Sequence, residues 1–100
     1  MEAALSLLET YRRNVQRKRE DIAKLQKDKS SEQKKLADIS KKINSASQAL
    51  NRSSSQTTIN SKIREIERHQ RDAANIEKKI ADFEVKIARK NKELSDEQKK

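Results

Sequence analysis

The chain of 100 residues contains no glycine, no proline, no cysteine and no tryptophan, and only one tyrosine and one phenylalanine. Average usage would place roughly 7 Gly and 5 Pro in a chain of this length. β-Hairpin turns, phosphate-cradling loops and dinucleotide fingerprints need Gly where the backbone takes positive φ, so none of them is expected. Disulfide frameworks and cysteine-ligated zinc require Cys. Two aromatic rings furnish neither a large globular core nor a base-stacking platform. No run of large apolar side chains is longer than Leu7-Leu8, so no membrane span is predicted. The first residues lack a cationic stretch followed by an apolar one, so no signal peptide is predicted. What is present is 41% charged and 31% hydrophobic, a composition of long helices or of disorder.

Residue order decides between the two. Leu8, Val15, Ile22, Lys29, Leu36, Ile43 and Leu50 recur every seven residues, and six of these seven are apolar. The companion positions are Ala4, Tyr11, Lys18, Leu25, Glu32, Ile39 and Ala46. Spacing of 3.5 residues is the signature of a left-handed coiled coil. A second set, Ile59, Ile66, Ala73, Ile80, Ile87 and Leu94, keeps the same period in another phase. Between them lies Asn51-Arg52-Ser53-Ser54-Ser55-Gln56-Thr57-Thr58, with no apolar residue. Ser, Thr and Asn compete for backbone hydrogen bonds and favour caps and turns. Ser53 and Gln56 have capping-box spacing, and Asn51 tolerates the left-handed conformation that often ends a helix.

These features predict an all-α fold, an antiparallel coiled-coil helical hairpin. Its helices would cover 2–50 and 56–98, with a turn at about 51–55. The alternative is one continuous long helix in a parallel coiled coil. Residues whose numbers add to 109 would face each other, for instance Leu50 with Ile59, Ile43 with Ile66, Ile22 with Ile87 and Val15 with Leu94. Lys29 would face Ile80. The predicted seam comprises Val15, Ile22, Leu25, Leu36, Ile39, Ile43, Leu50, Ile59, Ile66, Ile80, Ile87 and Leu94. The companion layers are less regular: Ala46 would meet Ile63, but Ile39 would meet Gln70 and Glu32 would meet Glu77. A local phase shift is expected near Ile76 and Phe83. With Leu5, those two lie just off the predicted seam and could widen it for a partner. Lys18, Lys29 and Glu32 either set register or mark a loose stretch with outward-reaching stems. The whole chain reads as one module, the N-terminal part of a longer protein.

Candidate chemistry is sparse. His69 stands alone in Arg68-His69-Gln70-Arg71 and is expected on the helix exterior. Most carboxylates sit three or four residues from a cation, as in Glu20–Lys24 and Asp82–Lys86, which is helix-surface charge patterning. No catalytic, cofactor-binding or metal-ligating set is predicted, nor a small-molecule substrate. The net charge of +9 is spread along the chain, with twelve basic and seven acidic residues in 1–50 and thirteen and nine in 51–100. The densest cluster holds Arg12, Arg13, Arg17 and Arg19 with Lys18, and it is the candidate contact for an anion. It could serve nucleic acid or an anionic surface. Because Tyr11 and Val15 hold seam positions inside it, sequence-specific nucleic-acid recognition is not expected. Arg52-Ser53-Ser54-Ser55 has the form of a basophilic phosphorylation site, which the turn chemistry of the serines already explains.

Three stretches carry a resemblance: Ser61-Lys62-Ile63-Arg64-Glu65-Ile66-Glu67-Arg68-His69-Gln70-Arg71-Asp72, Ile76-Glu77-Lys78-Lys79-Ile80-Ala81-Asp82, and Glu93-Leu94-Ser95-Asp96-Glu97-Gln98-Lys99-Lys100. Together with the Ser53–Thr58 turn, the chain resembles the N-terminal coiled-coil regions of bacterial TIR-domain proteins. Two helices bury only one stripe, so hairpins are expected to associate into homo-oligomers, with a dimer favoured; the resemblance implies that this cytoplasmic oligomerisation module is attached to a NAD-hydrolysing or signalling TIR domain. The catalytic glutamate of such a domain has no counterpart in these residues. Ile43→Asp combined with Ile66→Asp is expected to abolish helicity measured by circular dichroism; a cooperative melt retained by the double variant would refute the proposed pairing.

Overall fold

The computed structural model describes residues 2–99, with side chains from residue 4 onward. Two helices account for almost all of it: α1, Glu2–Arg52, and α2, Gln56–Lys99. The fold is a helical hairpin, and no strand occurs among the described residues. It divides into two compact units. One, the terminal unit, contains Met1–Lys29 and Asp82–Lys100; the other, the turn unit, is Ser30–Ala81.

Within each unit the two helices run in opposite directions. In the terminal unit Lys18, Asp21 and Lys29 reach Glu97, Lys90 and Glu84 respectively, so rising numbers on α1 meet falling numbers on α2. In the turn unit Glu32, Lys35 and Ile39 line one shallow groove with Lys79, Ile76 and Asp72. The absence of Gly and Pro lets each helix run unbroken, since neither a low-propensity residue nor a missing N–H interrupts the ladder.

The seam on α1 follows the heptad positions read from the sequence. Residues 15, 18, 22, 25, 29, 32, 36, 39, 43, 46 and 50 are all buried or half-buried, the polar ones included. Val15 (8% exposed), Ile22 (9%) and Ala46 (3%) are the best covered on this helix. On α2 the set 59, 66, 73, 80, 87 and 94 is also covered. Its companion set is 62, 69, 76, 83, 90 and 97, one residue before the expected 63, 70, 77 and 84. The phase shift anticipated near Ile76 and Phe83 therefore holds along the whole of α2. Ile76 lies inside the seam at 9% exposure, whereas Ile63 is left 41% exposed.

The physical reason is a choice of step. A period of 3.5 alternates steps of three and four residues, and between Ile59 and Ile66 either 62 or 63 can turn inward. The first choice buries Ile76 and half-buries Phe83 at the cost of Ile63. Each large apolar side chain contributes roughly 1.5–3 kcal/mol when fully covered, so two outweigh one. Lys62 and His69, which the same choice draws inward, both turn a nitrogen to the Glu65 carboxylate.

The turn is made by serines, in a different arrangement from the expected one. Only residues 53–55 are non-helical between the two helices. Ser53 N–H donates to the Leu50 carbonyl at 3.3 Å, tightening the end of α1. Ser53 Oγ accepts from Ser55 N–H at 3.3 Å, and Ser55 Oγ accepts from Thr58 N–H at 3.4 Å. The Ser55 carbonyl takes the first α-helical bond of α2, from Ile59 N–H at 2.9 Å. Ser55 is thus the N-cap, and Thr58 occupies the third helical position where a capping box would hold Glu or Gln. Asn51 remains helical, and no described residue has positive φ. Ser55→Ala is expected to lower stability by about 1 kcal/mol, more than Ser53→Ala does, as read from urea unfolding followed by circular dichroism.

Candidate interaction surfaces

The polar residues of the seam are partnered across it in the terminal unit. Lys18 Nζ lies 3.3 Å from Glu97 Oε2, with both side chains mostly covered. Lys29 Nζ lies 3.4 Å from Glu84 Oε1, one turn along α2 from the Ile80 it was expected to face. Lys90 Nζ bridges Glu93 at 3.4 Å and Asp21 at 3.9 Å. The lysine stems cover the seam while the ammonium groups reach carboxylates at its edge. Each pair is worth little alone, but a charge placed opposite the wrong sign opposes any other register.

The turn unit is held differently. Its ion pairs all lie within one helix: Lys35–Glu32 at 3.2 Å, Lys62–Glu65 at 3.2 Å and His69–Glu65 at 3.6 Å. Cohesion between its helices rests on Leu36, Ile39, Ile43, Ala46 and Leu50 from α1 and Ile59, Ile66, Ala73, Ile76 and Ile80 from α2, all at least half-buried. Glu32 is a flaw in this stretch. Its side chain is 12% exposed, one oxygen meets Lys35, and the other is buried without a hydrogen-bond partner. Such an orphaned acceptor opposes folding.

His69 is not on the exterior. It holds a seam position, with its side chain 12% exposed and Nε2 turned to Glu65. The Glu65 carboxyl is held below its ordinary value, chiefly by the hydrogen bond and charge of Lys62; desolvation opposes this, and His69 adds a weaker lowering effect. This is a local i, i+3, i+7 arrangement of Lys62, Glu65 and His69 on one helix. Among the described residues no group of three or more His, Cys, Asp or Glu converges to hold a metal ion.

The remaining candidates separate. Phe83 is half-buried, and Lys86 Nζ lies 5.8 Å from its ring centroid, so a cation already covers the face offered to a partner. Leu25, Leu36, Ile39, Ile43, Leu50, Ile59, Ile66, Ile80, Ile87 and Leu94 are half-buried along the seam. Leu5 is 59% exposed, and so are its neighbours Leu7 (71%) and Leu8 (43%). Arg12, Arg13, Arg17 and Arg19 are all exposed. No helix among the described residues is long and apolar enough to cross a membrane.

Sequence reading missed the ionic ladder of Lys18, Asp21 and Lys29 with Glu97, Lys90 and Glu84. The signal was present as opposite charges at and beside seam positions, but it becomes legible only once the phase of α2 is known. Comparison of the chain with protein families, with curated proteins and with solved structures gives no match.

The ladder has a direct test. Lys18→Glu is expected to lower stability by about 1–2 kcal/mol, between the values for exposed and buried pairs. Adding Glu97→Lys should restore at least half of the loss in urea unfolding; no recovery would mean that the two side chains are uncoupled.

Proposed function

We propose that the chain is a structural and interaction module, a coiled-coil hairpin that associates with a second copy of itself and brings attached domains together. The observation that carries this reading is how little the hairpin covers on its own. Among the described residues only Val15, Ile22, Ala46 and Ile76 are buried, and none of their side chains falls below 2% exposure. The accessible surface is 7873 Å² for 11.6 kDa, whereas a compact monomer of that mass would expose roughly 5,800 Å². Two helices in contact along one stripe offset little of the chain entropy they lose. Packing a second hairpin alongside would turn half-covered seam positions into a closed four-helix interior.

By its resemblance to the coiled-coil regions of bacterial TIR-domain proteins, the module would set the oligomeric state of a NAD-hydrolysing or signalling domain in the cytoplasm. No reaction is assigned to the hairpin itself. Sedimentation equilibrium is expected to return twice the chain mass of 11.6 kDa at micromolar concentration. A clean monomer at high micromolar concentration would overturn the reading.

A further inference from the structure

The first turns of α1 combine two features that the hairpin leaves unused. Residues 4–10 are exposed without exception, among them Leu5, Leu7 and Leu8. At about 100° per residue, Leu7, Tyr11, Ala4, Leu8 and Leu5 follow one another around an arc of roughly 160°. Ala4, Leu8 and Tyr11 continue the seam stripe toward the start of the helix, and Ala4 and Leu8 are themselves exposed. Leu5 and Leu7 flank that stripe on either side, so pairing along the seam leaves both uncovered.

The second feature follows directly along the helix. Positions 12–19 hold Arg12, Arg13, Arg17, Lys18 and Arg19 and no acidic residue. Lys18 is engaged with Glu97. The four arginines are exposed, and among the described residues none lies within ion-pair distance of a carboxylate. Exposed leucines are thus followed by an unpaired cationic collar.

We infer that this part of α1 docks on an anionic lipid bilayer, with Leu5, Leu7 and Leu8 entering the boundary between headgroups and acyl chains and Arg12, Arg13, Arg17 and Arg19 meeting lipid phosphates. The spacing suits such a layer. Leu5 and Arg12 are seven residues apart, about 10 Å along the helix axis, and apolar faces of interfacial helices enter a bilayer by about 5–10 Å. Arginine stems reach back toward phosphate while their methylenes stay in the apolar boundary. Neither competing occupant uses both features. A second copy docked through the same turns would bring two unpaired arginine collars together. Nucleic acid would neutralise the collar but leave the leucines in water.

The test uses the full chain and vesicles of phosphatidylserine mixed with phosphatidylcholine, with phosphatidylcholine alone as control. Co-sedimentation is expected with the anionic vesicles only, and it should weaken as salt is raised. Each Arg→Gln change among the four should lower partitioning about fivefold. The triple variant Leu5→Ser, Leu7→Ser, Leu8→Ser should lower it at least tenfold while helicity is retained, since all three side chains are exposed. The chain has no tryptophan, so Leu7→Trp provides a single fluorophore. Its emission should shift to the blue on anionic vesicles, and that of Val85→Trp, exposed elsewhere in the terminal unit, should not. Absence of binding to anionic vesicles at low salt would overturn the inference. So would binding that ignores the leucine changes and is displaced equally by duplex DNA, which would mark a polyanion site. The readout is independent of self-association: monomer or dimer in sedimentation equilibrium leaves each outcome of the vesicle assay unchanged.

Discussion

A two-helix hairpin has one place to cover apolar surface, the stripe where its helices touch. Each helix presents it every 3.5 residues, and the two stripes must meet over the whole shared length. No other layer shields a residue displaced from that stripe. The inward set on α2 is therefore chosen collectively. Ile76 and Phe83 draw Lys62, His69, Lys90 and Glu97 into the same row, and Ile63 is left outside because the row cannot change step for one residue.

The polar occupants then divide the molecule chemically. In the terminal unit, lysines within the seam meet carboxylates on the opposite helix. In the turn unit, branched aliphatic residues dominate and the ion pairs are local to each helix. Aliphatic contacts favour burial but discriminate weakly between neighbouring registers. Charge pairs contribute less energy and discriminate more, because a slip of one heptad places like charges together. Glu32 stands apart from both, with one oxygen paired to its own helix and the other orphaned.

Much of the fold was legible from α1 alone. Six apolar residues in seven heptad positions leave little freedom, and the break after Leu50 coincides with a serine-rich stretch. The local chemistry of the turn was legible in kind but not in detail. Three adjacent serines can each cap or bridge, and the one that caps is the one placed where α2 must start. The interaction surfaces were less legible. Leu5 and the arginine cluster stand out in the sequence, but their availability depends on where α2 runs and which carboxylates it brings near. His69 looked exposed because its neighbours are charged, yet helical neighbours in sequence point in different directions.

The sequence by itself determined that the chain is helical, that it turns once near residue 53, and which face of α1 is inward. Those properties follow from residue propensities and from periodicity, which are local and repeat many times. Only the tertiary structure decided the phase of α2, the cap at Ser55, the charge pairs joining Lys18 to Glu97 and Lys29 to Glu84, and the exposure of the first leucines. Each of these depends on the position of one helix relative to the other. That position is a balance summed over every layer of the seam, to which no single residue contributes enough to announce the outcome.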